Sequence, residues 1–245
     1  YGSTGPLSVN PETGEPYYHT FPLLTVKDLV KAHQWLASYL ELSQIALLIG
    51  GSLGGQQVLE WAIQQPPFIQ QLAVVACNAW HSPWGVAFNE TQRMAIEADQ
   101  SWQESHPDAG LEGMRTARAM ALISYRHYKT YHYSQEEPDN ETTDHFRASS
   151  YQQYQGAKLA QRFNAFSYWY LSKAMDTHNV GRGRNSVAAA LEQIQAQSLI
   201  MGIQSDMLFP IQEQAYLARL IPNAEVVGLD SAYGHDGFLL ETEQL

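Results

Sequence analysis

Gln44-Ile-Ala-Leu-Leu-Ile-Gly-Gly-Ser52-Leu-Gly-Gly-Gln-Gln-Val-Leu-Glu-Trp-Ala-Ile63 decides the reading of this chain. An apolar run through Ile49 predicts a buried strand. A helix-like run follows from Gln56, and between them lies Gly50-Gly-Ser52-Leu-Gly-Gly55. Strand, sharp turn and helix form the setting that a G-x-S-x-G nucleophile elbow requires. A serine forced into a strained turn needs neighbours without Cβ atoms, so that strand and helix can pass close together. The helix also points unpaired N–H groups at the serine. The plainer reading is a glycine-rich turn with no chemistry.

The far end of the chain favours chemistry. Ser198-Leu-Ile-Met-Gly-Ile203 and Ala224-Glu-Val-Val-Gly-Leu229 both read as strands. Asp206 falls just past the first, and His235 falls just past the second. Ser52, Asp206 and His235 then stand in the chain order of an α/β-hydrolase triad. Residues so far apart in sequence meet only where the loops of a parallel sheet gather at its C-terminal edge. Leu72–Cys77 reads as a further strand, which gives a βαβ rhythm and an α/β fold.

The rhythm stops near His81. From there to about Arg184 no strand is evident, and helices are expected over Phe88–Asp99, Leu111–His127, Asp144–Tyr154 and Ala157–Met175. The predicted organisation is therefore a mostly parallel sheet with a helical cap insertion. Residues 1–80 and 185–245 form the core, and 81–184 form the cap. Residues 1–21 read as a loop. Thr25 is a candidate N-cap for a helix through about Leu42. Residues 185–196 and Gln212–Leu220 are further candidate helices, with another from Gly237 onward.

The 245 residues are 44% hydrophobic and 16% charged, which fits a globular chain. The net charge of −11 argues against nucleic acid as a partner. Cys77 is the single cysteine, expected as a buried strand residue. No apolar run reaches membrane-spanning length. His127 and His132 lack a third ligand at familiar spacing, so no metal site is predicted. Arg182-Gly-Arg184 fits a linker turn better than a phosphate site. The aromatic run Phe163, Phe166, Tyr168, Trp169 and Tyr170 fits helix packing.

With these residues placed, the chain resembles the homoserine O-acetyltransferase family of α/β-hydrolase-fold acyltransferases. The resemblance covers nearly the whole chain. It rests on Tyr1-Gly-Ser-Thr-Gly-Pro6, the elbow, Ala87-Phe-Asn-Glu90 with Arg93, and Ala117-Arg118 leading to Ser124-Tyr125-Arg126. It also rests on Gln155-Gly156 with Arg162-Phe163, on Ser205–Pro210, and on Tyr233–Leu239. It implies transfer of an acetyl group from acetyl-CoA, as a substrate and with no cofactor, to the hydroxyl of L-homoserine in methionine biosynthesis. It implies Ser52 as nucleophile, Asp206 as orienting carboxylate and His235 as base, with the Leu53 N–H in the oxyanion hole. Arg118 and Asp236 fall on the amino-acid-binding positions, with Tyr125 as a helper. Arg115 is a rival to Arg118. A cytoplasmic homodimer built through cap helices is also implied. Within the same fold, homoserine O-succinyltransferase, serine O-acyltransferase and a plain esterase are the alternatives. A catalytically dead interaction protein is the alternative from another class.

The charge chemistry of the acceptor agrees with this reading. Homoserine is a zwitterion, so its carboxylate suits a guanidinium and its ammonium suits a carboxylate. Asp236 also reads as a helix N-cap, and Arg118, without the resemblance, as a solvated helix face. Only a loop and one helix precede the first strand. The reading therefore expects bare sheet edges and an uncovered apolar face on that side, and a chain lacking the family's N-terminal part along with one oxyanion donor.

Overall fold

In the computed structural model, which describes residues 3–244, the chain forms one four-stranded parallel sheet in the order β1-β2-β3-β4. The strands are β1 Ile45–Gly51, β2 Ile69–Val75, β3 Gln197–Ile203 and β4 Ala224–Leu229. Ile49 pairs with Ala73, Val75 with Met201, and Ile203 with Leu229, so the strand ends align along one rim. Tyr1 and Gly2, which open the first resembling segment, lie outside the described residues.

Helix α1 (Val26–Tyr39) starts from a capping box. The Thr25 side chain accepts from the Asp28 N–H, and Asp28 bonds back to the Thr25 N–H. Helix α2 (Leu53–Gln64) follows the elbow. Helix α8 (Val187–Leu191) precedes β3, and α9 (Ile211–Leu220) joins β3 to β4. These helices pack on one face of the sheet through Val30, Leu59, Leu72, Val74, Leu191, Ile200 and Leu217. The crossover at 185–196 is shorter than expected, with only Val187–Leu191 helical.

Helices α3 (Pro83–Glu97), α4 (Leu111–Tyr125), α5 (Tyr128–Gln135), α6 (Arg147–Ala160) and α7 (Ala165–Asp176) lie between β2 and β3. They have their own core around Ile96, Trp102, Met114 and Phe166. The excursion leaves and returns at one place, where Trp80 bridges Asn179 and the Val180 N–H donates to the Ala79 carbonyl. The boundary between α6 and α7 falls later than the sequence indicates. Asn164 caps α7 by accepting from the Ser167 N–H at 2.8 Å, which breaks the expected run over Ala157–Met175. Helix α5 was not expected, since its residues are polar on every side. Helix α4 stops at Tyr125, short of His127, and the chain turns extended at Arg126.

Cys77 is fully buried but lies past the end of β2, not within it. Ala76, at φ 45°, turns the chain out of the strand first. The loop before α1 contains a one-turn 3-10 helix, Tyr18–Thr20. It is tied to the cap by His19, whose Nε2 meets the Trp102 carbonyl at 2.7 Å. Helix α10 (Gly237–Leu240) follows the His235 turn. Among the described residues, no helix is long and apolar enough to cross a membrane.

Candidate active site

Ser52 sits at φ 54° and ψ −123°, a region that non-glycine residues rarely occupy. Its neighbours make the turn possible. A Cβ on Gly50 would stand 2.4 Å from the Gly54 carbonyl oxygen, and one on Gly51 would stand 2.7 Å from the Phe238 ring. The Ser52 N–H donates to the Val75 carbonyl at 2.9 Å, which fixes the turn to the end of β2. Leu53 opens α2, so its N–H points out of the helix start, where a developing negative charge is favoured.

Asp206 and His235 are joined directly. His235 Nδ1 lies 2.7 Å from Asp206 Oδ2, and both residues are buried. The other carboxylate oxygen accepts from the Leu208 and Phe209 N–H groups at 2.8 and 2.9 Å. Three donors thus hold this carboxylate and set the imidazole with Nδ1–H toward Asp206 and Nε2 free as a base. Asp230, just past β4, is exposed.

The His235 ring packs against Phe209, Phe238 and Tyr125, at centroid distances of 5.1, 5.4 and 5.7 Å. Phe238 also lies over Gly51, and Tyr125 lines the same cleft as Ser52. Ser52 and His235 therefore share a wall. Among the described residues they form no direct hydrogen bond; resting nucleophile–base contacts are commonly longer than those of the reacting complex.

The cleft over Ser52 has a volume of ≈ 230 Å³. Leu53, Phe88, Phe163, Leu171, Met175 and Leu208 supply apolar walls, while Gln92 and Tyr168 supply polar ones. Tyr168 donates to Gln92 Oε1 at 2.6 Å. Burial pushes the Tyr168 and Tyr125 phenols up, so both stay protonated. The aromatic run near α7 is thus divided: Phe166 packs the cap core, and Phe163 and Tyr168 face the cleft.

Arg118 stacks over the Tyr125 ring at 5.4 Å, and Asp236 acts on the same phenol from its own charge. Neither residue lines the cleft itself; they flank the tyrosine that does. Arg115 points elsewhere, into an exposed ion pair with Glu112 at 2.9 Å on its own helix. Asp236 does stand at the N-cap position of α10, but its side chain makes no capping hydrogen bond. It meets Arg126 instead, with Oδ2 3.3 Å from Nε.

Arg126 was not singled out from the sequence. Nor was the polar group along one wall of the cleft. There Arg93 bonds Glu90, Ser172 and Asp176, and Asn89 donates to Asp176 at 2.8 Å and meets His81 Nε2 at 3.1 Å. Burial holds His81 below the usual imidazole range, so it is neutral. The family-like pieces Asn89 and Arg93 were the available signal. Arg184 makes a two-pronged pair with Glu60 at 2.7 and 3.0 Å and also donates to the Val180 carbonyl. His127 caps α5 by accepting from the Lys129 N–H.

Residues 2–242 match the α/β-hydrolase-fold family. A homoserine O-acetyltransferase of Cyclobacterium marinum is 49% identical over 245 residues, covering 100% of this chain and 70% of that protein. Among solved structures, the homoserine O-acetyltransferase of Bacillus anthracis superposes with a TM-score of 0.90 at 22% identity, over 98% of this chain and 68% of the other. Esterase E22 superposes with a TM-score of 0.89, also at 22% identity, over 99% and 70%. At that identity both structural likenesses speak for the fold alone.

Proposed function

Because the chain belongs to the homoserine O-acetyltransferase family of the α/β-hydrolase fold, we propose that it moves an acetyl group from acetyl-CoA to the hydroxyl of L-homoserine through an acetyl-Ser52 intermediate. The observation that carries this reading is the buried Asp206–His235 pair on the wall shared with the strained Ser52.

His235 Nε2 takes the Ser52 proton as Oγ attacks the thioester carbonyl carbon. The oxyanion is met by the Leu53 N–H. The C–S bond breaks, the proton passes to the leaving thiolate, and acetyl-Ser52 remains. In the second half, His235 takes the proton of the homoserine hydroxyl. That oxygen attacks the acetyl carbon, the bond to Oγ breaks, and the proton returns to Ser52. Asp206 orients the imidazole and stabilises its charged form.

Arg118 would receive the homoserine carboxylate and Asp236 its ammonium, with the Tyr125 phenol between them. Transfer must outrun hydrolysis, and the apolar walls over Ser52 favour a positioned hydroxyl over free water. The family reading also carries a place in methionine biosynthesis, in the cytoplasm, as a homodimer built through cap helices. Incubation with homoserine or serine against acetyl-CoA or succinyl-CoA, followed by product mass spectrometry, tests the reading. O-acetylhomoserine should dominate. A preference for serine or succinyl-CoA, or free acetate as the main product, would overturn it.

A further inference from the structure

Behind Tyr125 lies a second cleft, of ≈ 220 Å³, outside the site described above. Its walls come from the extended residue after α4, from α5 and α6, and from the turn before His235. Arg126, Tyr131, Ser134, Gln135, Tyr151 and Tyr233 contribute to them, and no carboxylate lines it.

The donors here are in surplus. Arg126 Nε lies 3.3 Å from Asp236 Oδ2, a contact that lacks hydrogen-bond alignment. Neither Nη nitrogen of Arg126 has a hydrogen-bond partner among the described residues, nor do the Tyr151 and Tyr233 hydroxyls. Tyr131 donates to Gln152 but keeps its phenol in the field of both Arg126 and Arg118. A guanidinium with both Nη nitrogens unpaired, beside phenols and with Asp236 only at its Nε, matches a tetrahedral anion.

We propose that this cleft binds a phosphate group, and that on the transferase reading above the phosphate belongs to the donor's nucleotide end. The Tyr125-Arg126 dipeptide is the shared wall: Tyr125 faces the cleft over Ser52, and Arg126 faces the second cleft. A donor with its thioester at Ser52 and its phosphates against Arg126 would span the two. Arg126 then has two tasks, holding Asp236 with one edge and the phosphate with the other.

The test compares two thioesters that acylate the same serine. Acetyl-CoA carries phosphates, whereas S-acetyl-N-acetylcysteamine carries none. Gln135→Glu places a carboxylate in the cleft, and Tyr151→Phe removes one donor. Gln135→Glu should raise the half-saturating acetyl-CoA concentration for Ser52 acylation by about tenfold. Tyr151→Phe should raise it by roughly threefold. Both variants should leave the short thioester within about twofold of wild type. Adenosine 3′,5′-bisphosphate should bind wild type by calorimetry, compete with acetyl-CoA but not with the short thioester, and bind Gln135→Glu far less. Equal effects on both thioesters, no effect on either, or no bisphosphate binding by wild type would overturn the proposal. Acylation by neither thioester would sink the transferase reading instead; bisphosphate binding lost in Gln135→Glu would still support the phosphate cleft.

Discussion

One face of the sheet lies under α1, α2, α8 and α9, while the other is covered only near the C-terminal rim, where Phe238 packs on Val75, Met201 and Ile203. Away from the rim, that second face is open. Leu47 and Ile49 are 51% and 63% exposed, and Leu199 and Val227 are 36% and 43%. Parallel sheets usually bury both faces. Cover is therefore concentrated where the loops carry Ser52, Asp206 and His235, and it thins away from them.

The largest test of that contrast lies at the rim. Asp206→Asn should lower turnover by roughly 10⁴-fold, since it upsets the imidazole tautomer. Asp230→Asn, on the exposed side of the same loop system, should stay within about twofold. Steady-state kinetics of both variants decides, and the reverse ranking would transfer the triad role to Asp230.

The two faces predict different responses to substitution. Leu59 is fully buried on the covered face, and Leu59→Ala should cost about 2–5 kcal/mol in urea unfolding. Ile49→Lys on the open face should change stability by less than about 0.5 kcal/mol and reduce concentration-dependent self-association. Sedimentation of the two variants sharpens the comparison. A stability loss for Ile49→Lys as large as that for Leu59→Ala would mean that the second face is covered in solution.

Around the cleft, Arg118→Ala and Asp236→Ala should each weaken homoserine use by roughly 10- to 150-fold, the worth of a hydrogen bond to a charged group. Both should spare the first half-reaction. Arg115→Ala, which breaks only a surface pair, should leave both half-reactions within about twofold. Single-turnover kinetics separates them. An equal loss in both halves would remove Arg118 and Asp236 from acceptor binding.

A pH-dependent effect concerns Glu213, a part-buried carboxylate on α9 that accepts from Asn78 at 3.0 Å. Burial raises its pKa to about 7, against an Asn78 hydrogen bond that lowers it. A raised folded pKa gives stability that is full below the ordinary glutamate value of 4.5 and is lost as pH climbs through about 7. Glu213→Gln should therefore match wild type near pH 4.5 and exceed it at pH 8, by about 1 kcal/mol after allowing for partial solvent screening. Urea titrations at both pH values check the sign. A variant less stable at pH 8 would show that the charged form is favoured in the fold.

The elbow was legible because its constraint is local: glycine sterics beside a strand and a helix leave a mark in consecutive residues. Asp206 and His235 were legible because strand ends are easy to place and the loops after them are short. Arg126 was hidden, since its inward turn depends on α4 stopping at Tyr125 and the next residue adopting φ −106° and ψ 154°. Helix α5 was hidden by its lack of an apolar stripe. An uncovered apolar face was expected beside the first strand, and Leu47 and Ile49 are exposed there. Exposure at Leu199 and Val227 was not visible, because a continuous apolar run does not say which of its faces a neighbour covers.

The central claim is an acetyl group carried on Ser52. Intact-protein mass spectrometry, milliseconds to seconds after mixing with acetyl-CoA alone, reads it directly. The account predicts one added acetyl group on the wild-type chain, none on Ser52→Ala, and rapid discharge by homoserine but slow discharge by water. An unmodified wild-type chain that still makes O-acetylhomoserine, or acetylation that persists in Ser52→Ala, would contradict it.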